Sequence, residues 1–166
     1  MGAAGERIGV TGHRDLADPL RVRSAVDDVL DRLEPPLTAV SSLAEGADRL
    51  VARAVLDRPG GRLIALLPLP PEDYVRDFAE AGSVEEFNDL LAAADEVEVI
   101  SPRLDDDPSR EAAYERAGLA VLEHCDRLLA LWDGAPARGR GGTADLVGSA
   151  RSCGRPVEVV SVERAR

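Results

Sequence analysis

The chain contains no lysine, and all 20 of its basic residues are arginine. A Walker-type phosphate loop needs its lysine, and Schiff-base or pyridoxal chemistry needs an amine nucleophile, so both kinds of site are excluded. Any positive charge in a binding site must therefore come from guanidinium groups. Guanidinium groups are well suited to two-point binding of phosphate or carboxylate.

Cysteine and long apolar runs are also scarce. The two cysteines, Cys125 and Cys153, are isolated in the sequence, which excludes a framework of spaced disulfides and predicts a reduced, cytoplasmic setting. With His124 they lack the spacing of metal ligands, so we expect neither a metal site nor a bound cofactor. No run approaches the roughly 18 apolar residues of a transmembrane helix, and no export signal is evident, so we expect no membrane partner.

The sequence also lacks a basic stripe. Its formal net charge is −11, whereas binding along a nucleic-acid backbone requires clustered positive charge. We therefore predict that the partner is not a nucleic-acid polymer. A small phosphate ligand needs only a local positive pocket, which an acidic protein can provide.

Short apolar segments alternate with helical patterns along the whole chain. Six strands are predicted at 7–10, 37–43, 63–67, 97–100, 126–133 and 156–162, with helices between them. Most strands are continuously apolar without period-two alternation, which is typical of strands covered on both faces. The predicted fold is α/β: a Rossmann-like, doubly wound, mostly parallel sheet of about six strands with helices on both faces, forming a single domain over 1–166.

A glycine turn followed by a helix is the most informative feature. The strand Asp126–Asp133 leads into Gly141-Gly142-Thr143, and a helical pattern continues to Gly154. Glycine lets the backbone approach a ligand closely, and the first N–H groups of a helix have no internal acceptor. This order of elements predicts a site for a phosphate-bearing small molecule, and Arg138 or Arg140 could close over the anion or remain solvated.

Two further strand ends carry polar loops, and ligands of such sheets bind at the carboxyl ends of the strands. The first loop runs from Thr11 to Arg14 and the second from Ser41 to Asp48. Carboxylates in the second loop could hold ribose hydroxyls, or its polar residues could simply cap a helix. The candidate ligand-binding residues of all three loops are Gly12, His13, Arg14, Ser42, Glu45, Gly46, Asp48, Arg140, Gly141, Gly142 and Thr143.

Taken together, these loops resemble a known superfamily. The segments 10–14 (VTGHR), 42–48 (SLAEGAD), 125–134 (CDRLLALWDG) and 139–145 (GRGGTAD) are similar, in this order, to the SLOG (Smf/DprA–LOG) group of Rossmann-like proteins. The group includes the DNA-processing protein of competence, LOG phosphoribohydrolases and nucleotide-sensing domains. The resemblance implies a nucleotide or phosphorylated ribose derivative as ligand, and a homodimer.

Three functions remain open. The leading hypothesis is a module that binds or senses a nucleotide-derived molecule. The alternative is a nucleoside 5′-monophosphate phosphoribohydrolase, an N-glycosidase, with Asp145 and Glu45 as candidate catalytic carboxylates and Asp48 as a third available acid. The resemblance argues against the LOG mechanism, because Leu146 stands where the LOG motif has its glutamate and Asp145 lies one residue earlier. A scaffold with a vestigial pocket is the third possibility, and the segment from Tyr74 to Phe78 is either a lid or a cover over the sheet edge.

Overall fold

The computed structural model describes residues 5–101, 109–137 and 142–165. Within these ranges strands and helices alternate. The strands are β1 (Arg7–Gly12), β2 (Thr38–Ser41), β3 (Arg62–Leu67), β4 (Glu96–Val99), β5 (Arg127–Trp132) and β6 (Val157–Ser161). The helices are α1 (Pro19–Asp31), α2 (Ala47–Leu56), α3 (Pro71–Tyr74), α4 (Ser83–Ala93), α5 (Arg110–His124) and α6 (Thr143–Ser152), with a short 3-10 turn at Val75–Asp77.

All six strands belong to one parallel sheet with the order β4-β3-β2-β1-β5-β6. The predicted α/β class, the strand number and the Rossmann-like architecture are therefore confirmed. The register sets Ile8 of β1 beside Ala39 on β2 and Arg127 on β5. Strands β2, β3 and β4 are added in sequence on one side of β1, whereas β5 and β6 are added on its other side. The strand order therefore reverses between β1 and β5.

Helices cover both faces of the sheet, which explains the continuously apolar strands. Helices α1, α2 and α4 contribute to the main core on one face, while α5 and α6 pack against β1 and β5 on the other. In β3, every residue from Leu63 to Leu67 is buried. The edge strand β4 is different, because alternating glutamates and a half-exposed Val97 leave it open to solvent.

Side-chain caps mark the starts of α1 and α5. Asp18 caps α1 by accepting a hydrogen bond from the Arg21 N–H at 3.3 Å, and Ser109 caps α5 by accepting from the Ala112 N–H. A glycine marks the start of α4: this helix begins after Gly82, whose φ of +77° favours a residue without a side chain. No helix in the described ranges is long and apolar enough to cross a membrane.

Candidate functional site

The carboxyl ends of β1 and β5 border a cavity of about 370 Å³. This is the position at which the strand order reverses, where open α/β sheets leave a crevice. The loops after β1 and β2, the loop after β5, the start of α6 and one face of α5 all contribute to its wall. Its polar and aromatic lining residues are Thr11, His13, Arg14, Asp15, Ser42, Asp48, Tyr74, Glu111, Tyr114, Trp132, Thr143 and Arg164.

His13 ties the loop after β1 to the loop after β5. Its buried Nε2 accepts a hydrogen bond from the Asp133 N–H at 3.0 Å and lies 3.0 Å from Asp133 Oδ1. Asp133 in turn accepts from the Ala135 N–H at 2.9 Å and from Arg164 Nε at 3.0 Å. His13 therefore orders the rim of the cavity, and Arg164 from the end of the chain completes the same network.

Two glycines bring the loop after β1 against the start of α2. A Cβ at Gly12 would lie 2.5 Å from Ala47 Cβ and 2.7 Å from the Leu131 carbonyl oxygen. A Cβ at Gly46, whose φ is +81°, would lie 2.3 Å from the Arg14 carbonyl oxygen. The Ala47 N–H donates to the His13 carbonyl at 3.0 Å. Gly12 borders the cavity, whereas Gly46 lies behind it and serves this close contact between the two loops.

Asp48 is the buried acid of the cavity wall. Its side chain sits in the first turn of α2, only 7% of the residue is exposed, and its Oδ2 accepts a hydrogen bond from the Ala44 N–H at 3.2 Å. Burial raises the pKa of Asp48 to about 7, although the Ala44 N–H, Arg14 and Arg49 all act in the opposite direction. Asp48 can therefore gain or lose a proton near neutral pH.

Glu45 belongs to the same loop but faces away from the cavity. Its carboxylate accepts hydrogen bonds from the N–H groups of Ala79 and Glu80 at 2.9 and 3.0 Å. Four residues further on, Arg49 donates to the carbonyl and hydroxyl oxygens of Ser83 at 2.9 and 2.8 Å. Glu45 and Arg49 thus hold the segment 75–82, which we name the α3–α4 connection, together with the start of α4.

An aromatic cluster joins Phe78 of this connection to two tyrosines of the cavity wall. Tyr74, Phe78, Phe87 and Tyr114 make ring contacts with centroids 5.0 to 5.9 Å apart. The Tyr74 hydroxyl donates to the Ser42 carbonyl at 3.0 Å. Tyr74 therefore lines the cavity and anchors the start of the segment from Tyr74 to Phe78 to the loop after β2.

Tyr114 was not among the residues predicted from the sequence. Its hydroxyl donates to Asp77, and the Arg14 guanidinium carbon lies 5.0 Å from its ring centroid. The pKa of Tyr114 is raised to about 12, mainly by burial and, as the next largest cause, by the hydrogen bond to Asp77. Arg110 reinforces this contact by pairing with Asp73 at 2.9 Å and with Asp77 at 2.7 Å.

A spacing in α5 could have revealed this wall. Tyr114, Ala117, Gly118 and Val121 all line the cavity and follow one another at the i, i+3, i+4, i+7 positions of one helix face. Arg164 carries no comparable signal, because its place at the cavity depends on how distant segments of the chain meet.

Helix α6 begins at the opposite wall. Gly142 is its N-cap residue and makes no side-chain capping hydrogen bond, and both Gly142 and Thr143 line the cavity. Leu146 also reaches the cavity, whereas Asp145 is exposed and borders a separate hollow between α5 and α6. Arg138, Arg140 and Gly141 lie outside the described residues.

Within residues 5–101, 109–137 and 142–165, no group of three His, Cys, Asp or Glu side chains is placed to hold a metal ion.

Comparison with known proteins identified structures of the same fold. No family model and no curated protein sequence matches the chain. DNA processing protein A from Streptococcus pneumoniae superimposes with a TM-score of 0.66 at 21% identity, covering 93% of this chain and 50% of that one. The Helicobacter pylori protein of the same name gives 0.64 at 12% identity, covering 93% and 65%. The Moco carrier protein from Chlamydomonas reinhardtii gives 0.53 at 18% identity, covering 95% and 76%.

The exclusion of a nucleic-acid polymer as partner is wrong. The H. pylori protein shares this fold and binds single-stranded DNA. The error has a physical reason: net charge is summed over the whole surface, whereas binding depends on the charge of one groove.

The present chain spans half the length of the S. pneumoniae protein and 65% of the H. pylori protein. Its parallel sheet, its strand order and these superpositions together show that the chain has a Rossmann-like fold shared with DNA processing protein A and the Moco carrier protein.

Proposed function

We propose that the cavity binds a nucleotide or another small phosphate-bearing molecule, and that the protein acts as a binding or sensing module. One observation carries the proposal: α6 begins at the cavity with Gly142 and Thr143 in the wall. The first N–H groups of a helix lack internal acceptors and lie at the positive end of its dipole, so they favour an anion.

Other features of the cavity support the same ligand class. Its volume of about 370 Å³ lies within the range of roughly 300–1,000 Å³ common for small-molecule sites. Arg14 and Arg164 supply positive charge, and Tyr114 and Trp132 supply flat apolar surface. Phosphate would be held by the α6 amides and an arginine, and a base could lie against an aromatic ring.

A substitution at the helix start tests this placement. Incubation with a panel of nucleotides, followed by native mass spectrometry and thermal unfolding, should identify a retained nucleotide that stabilises the protein. In Gly142→Asp the new carboxylate would occupy the anion position, so the stabilisation should disappear. Gly148→Asp is the matched control, because it adds the same charge to α6 where a Cβ meets nothing within 4 Å. Equal ligand-induced stabilisation in both variants would contradict the proposal.

Hydrolysis of a nucleotide N-glycosidic bond is the second candidate. The observation in its favour is Asp48, a cavity acid whose pKa of about 7 suits proton transfer to a departing base. Glu45 and Asp145 do not line the cavity. Release of free base by the wild type, lost in Asp48→Asn, is the expected result for an enzyme. Intact nucleotides after prolonged incubation with the wild type would exclude this activity for the panel tested.

Single-stranded DNA is a third ligand to test, because the H. pylori protein of this fold binds it. Fluorescence anisotropy with a labelled oligonucleotide across a salt series measures such binding. Competition by a nucleoside monophosphate would assign the DNA phosphates to the same cavity. Light scattering during size-exclusion chromatography tests the homodimer that the sequence resemblance implies.

A further inference from the structure

Asp48 makes few contacts for a buried acid. Its hydrogen bond from the Ala44 N–H occupies Oδ2, and its side chain borders the cavity. The neighbouring Arg49 does not neutralise it by direct contact, since that guanidinium donates to the Leu43 carbonyl at 3.0 Å and to Ser83. The carboxyl group is thus desolvated beside a space where a ligand would sit.

Charged and titratable groups approach this carboxyl from several elements. Arg14 from the loop after β1 and Arg49 from α2 favour the ionised form, while removal from water favours the neutral form more strongly. Tyr74 from α3 interacts with Asp48 electrostatically. The other titratable groups of the cavity wall are His13, Asp15, Glu111, Tyr114 and Arg164.

We propose that Asp48 is neutral when the cavity holds an anionic ligand, and that its carboxyl O–H donates a hydrogen bond to a ligand oxygen. This inference rests on the proposed function. An ionised Asp48 would repel an anion bound beside it, whereas a protonated one adds a donor to the α6 amides and the arginines. Formation of the complex above neutral pH therefore takes up a proton from solvent onto the Asp48 carboxylate, and no other bond changes.

Calorimetric titration with sulfate tests the coupling, because sulfate keeps its charge between pH 6 and 9. Measurements at pH 8 in buffers of different ionisation enthalpy give the number of protons taken up. We expect a wild-type uptake approaching one proton, and an affinity that falls by up to about tenfold per pH unit above 7. Both effects should be absent in Asp48→Asn, whose amide is neutral at every pH.

Glu111→Gln is the matched control, because it removes a carboxylate from an exposed residue of the same cavity wall. This variant should show the wild-type proton uptake. Equal proton uptake by the wild type and Asp48→Asn would overturn the inference even if sulfate binds tightly. Loss of uptake in Glu111→Gln with retention in Asp48→Asn would assign the proton to Glu111 and overturn it as well.

A measurement without ligand separates this inference from the proposed function. If neither sulfate nor adenosine 5′-monophosphate binds at any pH, the proposed function fails. Carbon-13 NMR titration of the carboxyl groups in the free protein then tests Asp48 directly, with Asp48→Asn to assign its resonance. A midpoint near pH 7 would support a neutral Asp48 at the cavity, and a midpoint near pH 4 would overturn the inference.

Discussion

Replacing Asp48 by asparagine should make the free protein more stable at alkaline pH. Asp48 is 7% exposed, and burial raises its pKa from 3.8 to about 7. The folded state therefore holds the proton more tightly than the unfolded state. As pH rises from about 4 to 7 the unfolded chain releases this proton first, so Asp48 progressively lowers the free energy of unfolding, and above pH 7 the loss is complete.

The size of the effect follows from the difference between the two pKa values. A difference of about three units, at 1.36 kcal/mol per unit, corresponds to about 4 kcal/mol at pH 8. Asparagine has nearly the same shape and keeps an oxygen for the Ala44 N–H, but it never carries the buried charge. We therefore expect Asp48→Asn to exceed the wild type by a few kcal/mol at pH 8 and to match it at pH 4.

Urea unfolding of both proteins at half-unit steps from pH 4 to 9 measures this difference, and titrations shared by the two chains cancel on subtraction. A difference that stays constant with pH would refute the reasoning, since only a titrating Asp48 makes it vary. A wild type that gains stability relative to the variant as pH rises would show that Asp48 is favourably ionised in the folded protein.

Three further predictions concern the supports of the cavity. Gly12→Ala should lower the free energy of unfolding by about 1–3 kcal/mol, because the added Cβ has no space. Gly148→Ala is the control: its Cβ meets nothing within 4 Å in α6, so it should raise the free energy of unfolding by up to about 1 kcal/mol. Equal effects of the two substitutions in urea unfolding would contradict the packing argument. Glu45→Gln should weaken hydrogen-exchange protection at Ala79 near neutral pH. Burial alone would raise the pKa of Glu45, but the hydrogen bonds from the Ala79 and Glu80 N–H groups outweigh it and lower the pKa. The stabilisation that ionised Glu45 gives is therefore lost as pH falls through the acid range. A difference in protection between Glu45→Gln and the wild type that does not change with pH would contradict this assignment. Arg110→Ala should lower the free energy of unfolding by about 1–3 kcal/mol and increase hydrogen exchange in the 75–77 turn, because the partly buried Asp73 and Asp77 lose their ion pairs with Arg110. Unchanged exchange there would show that the other contacts of the turn are enough to hold it.

The fold could be predicted because its signals are local and repeated. Continuous apolar runs separated by helical periods require a parallel sheet covered on both faces, and the structure contains six such strands. Parallel strands direct their carboxyl ends to one edge, so the polar loops after β1, β2 and β5 had to meet near one another. Turn residues such as Asp18 and Gly82 marked element boundaries for equally local reasons.

The orientation of individual side chains within those loops could not be predicted. Glu45 and Asp48 lie three residues apart in one motif, yet Glu45 binds backbone N–H groups of the α3–α4 connection while Asp48 borders the cavity. The partners of Glu45 lie more than thirty residues later in the chain. Likewise Asp145 turns outward while Leu146 reaches the cavity, because one residue is about 100° of helix rotation.

By itself, then, the sequence determined the architecture, the edge of the sheet at which the cavity lies and the absence of lysine chemistry. Those properties depend on periodicity and composition, which are written along the chain. Only the tertiary structure decided which carboxyl group is desolvated at the cavity, and that Tyr114 and Arg164 join its wall. Burial and electrostatic environment arise from contacts between distant segments, and no local pattern encodes them.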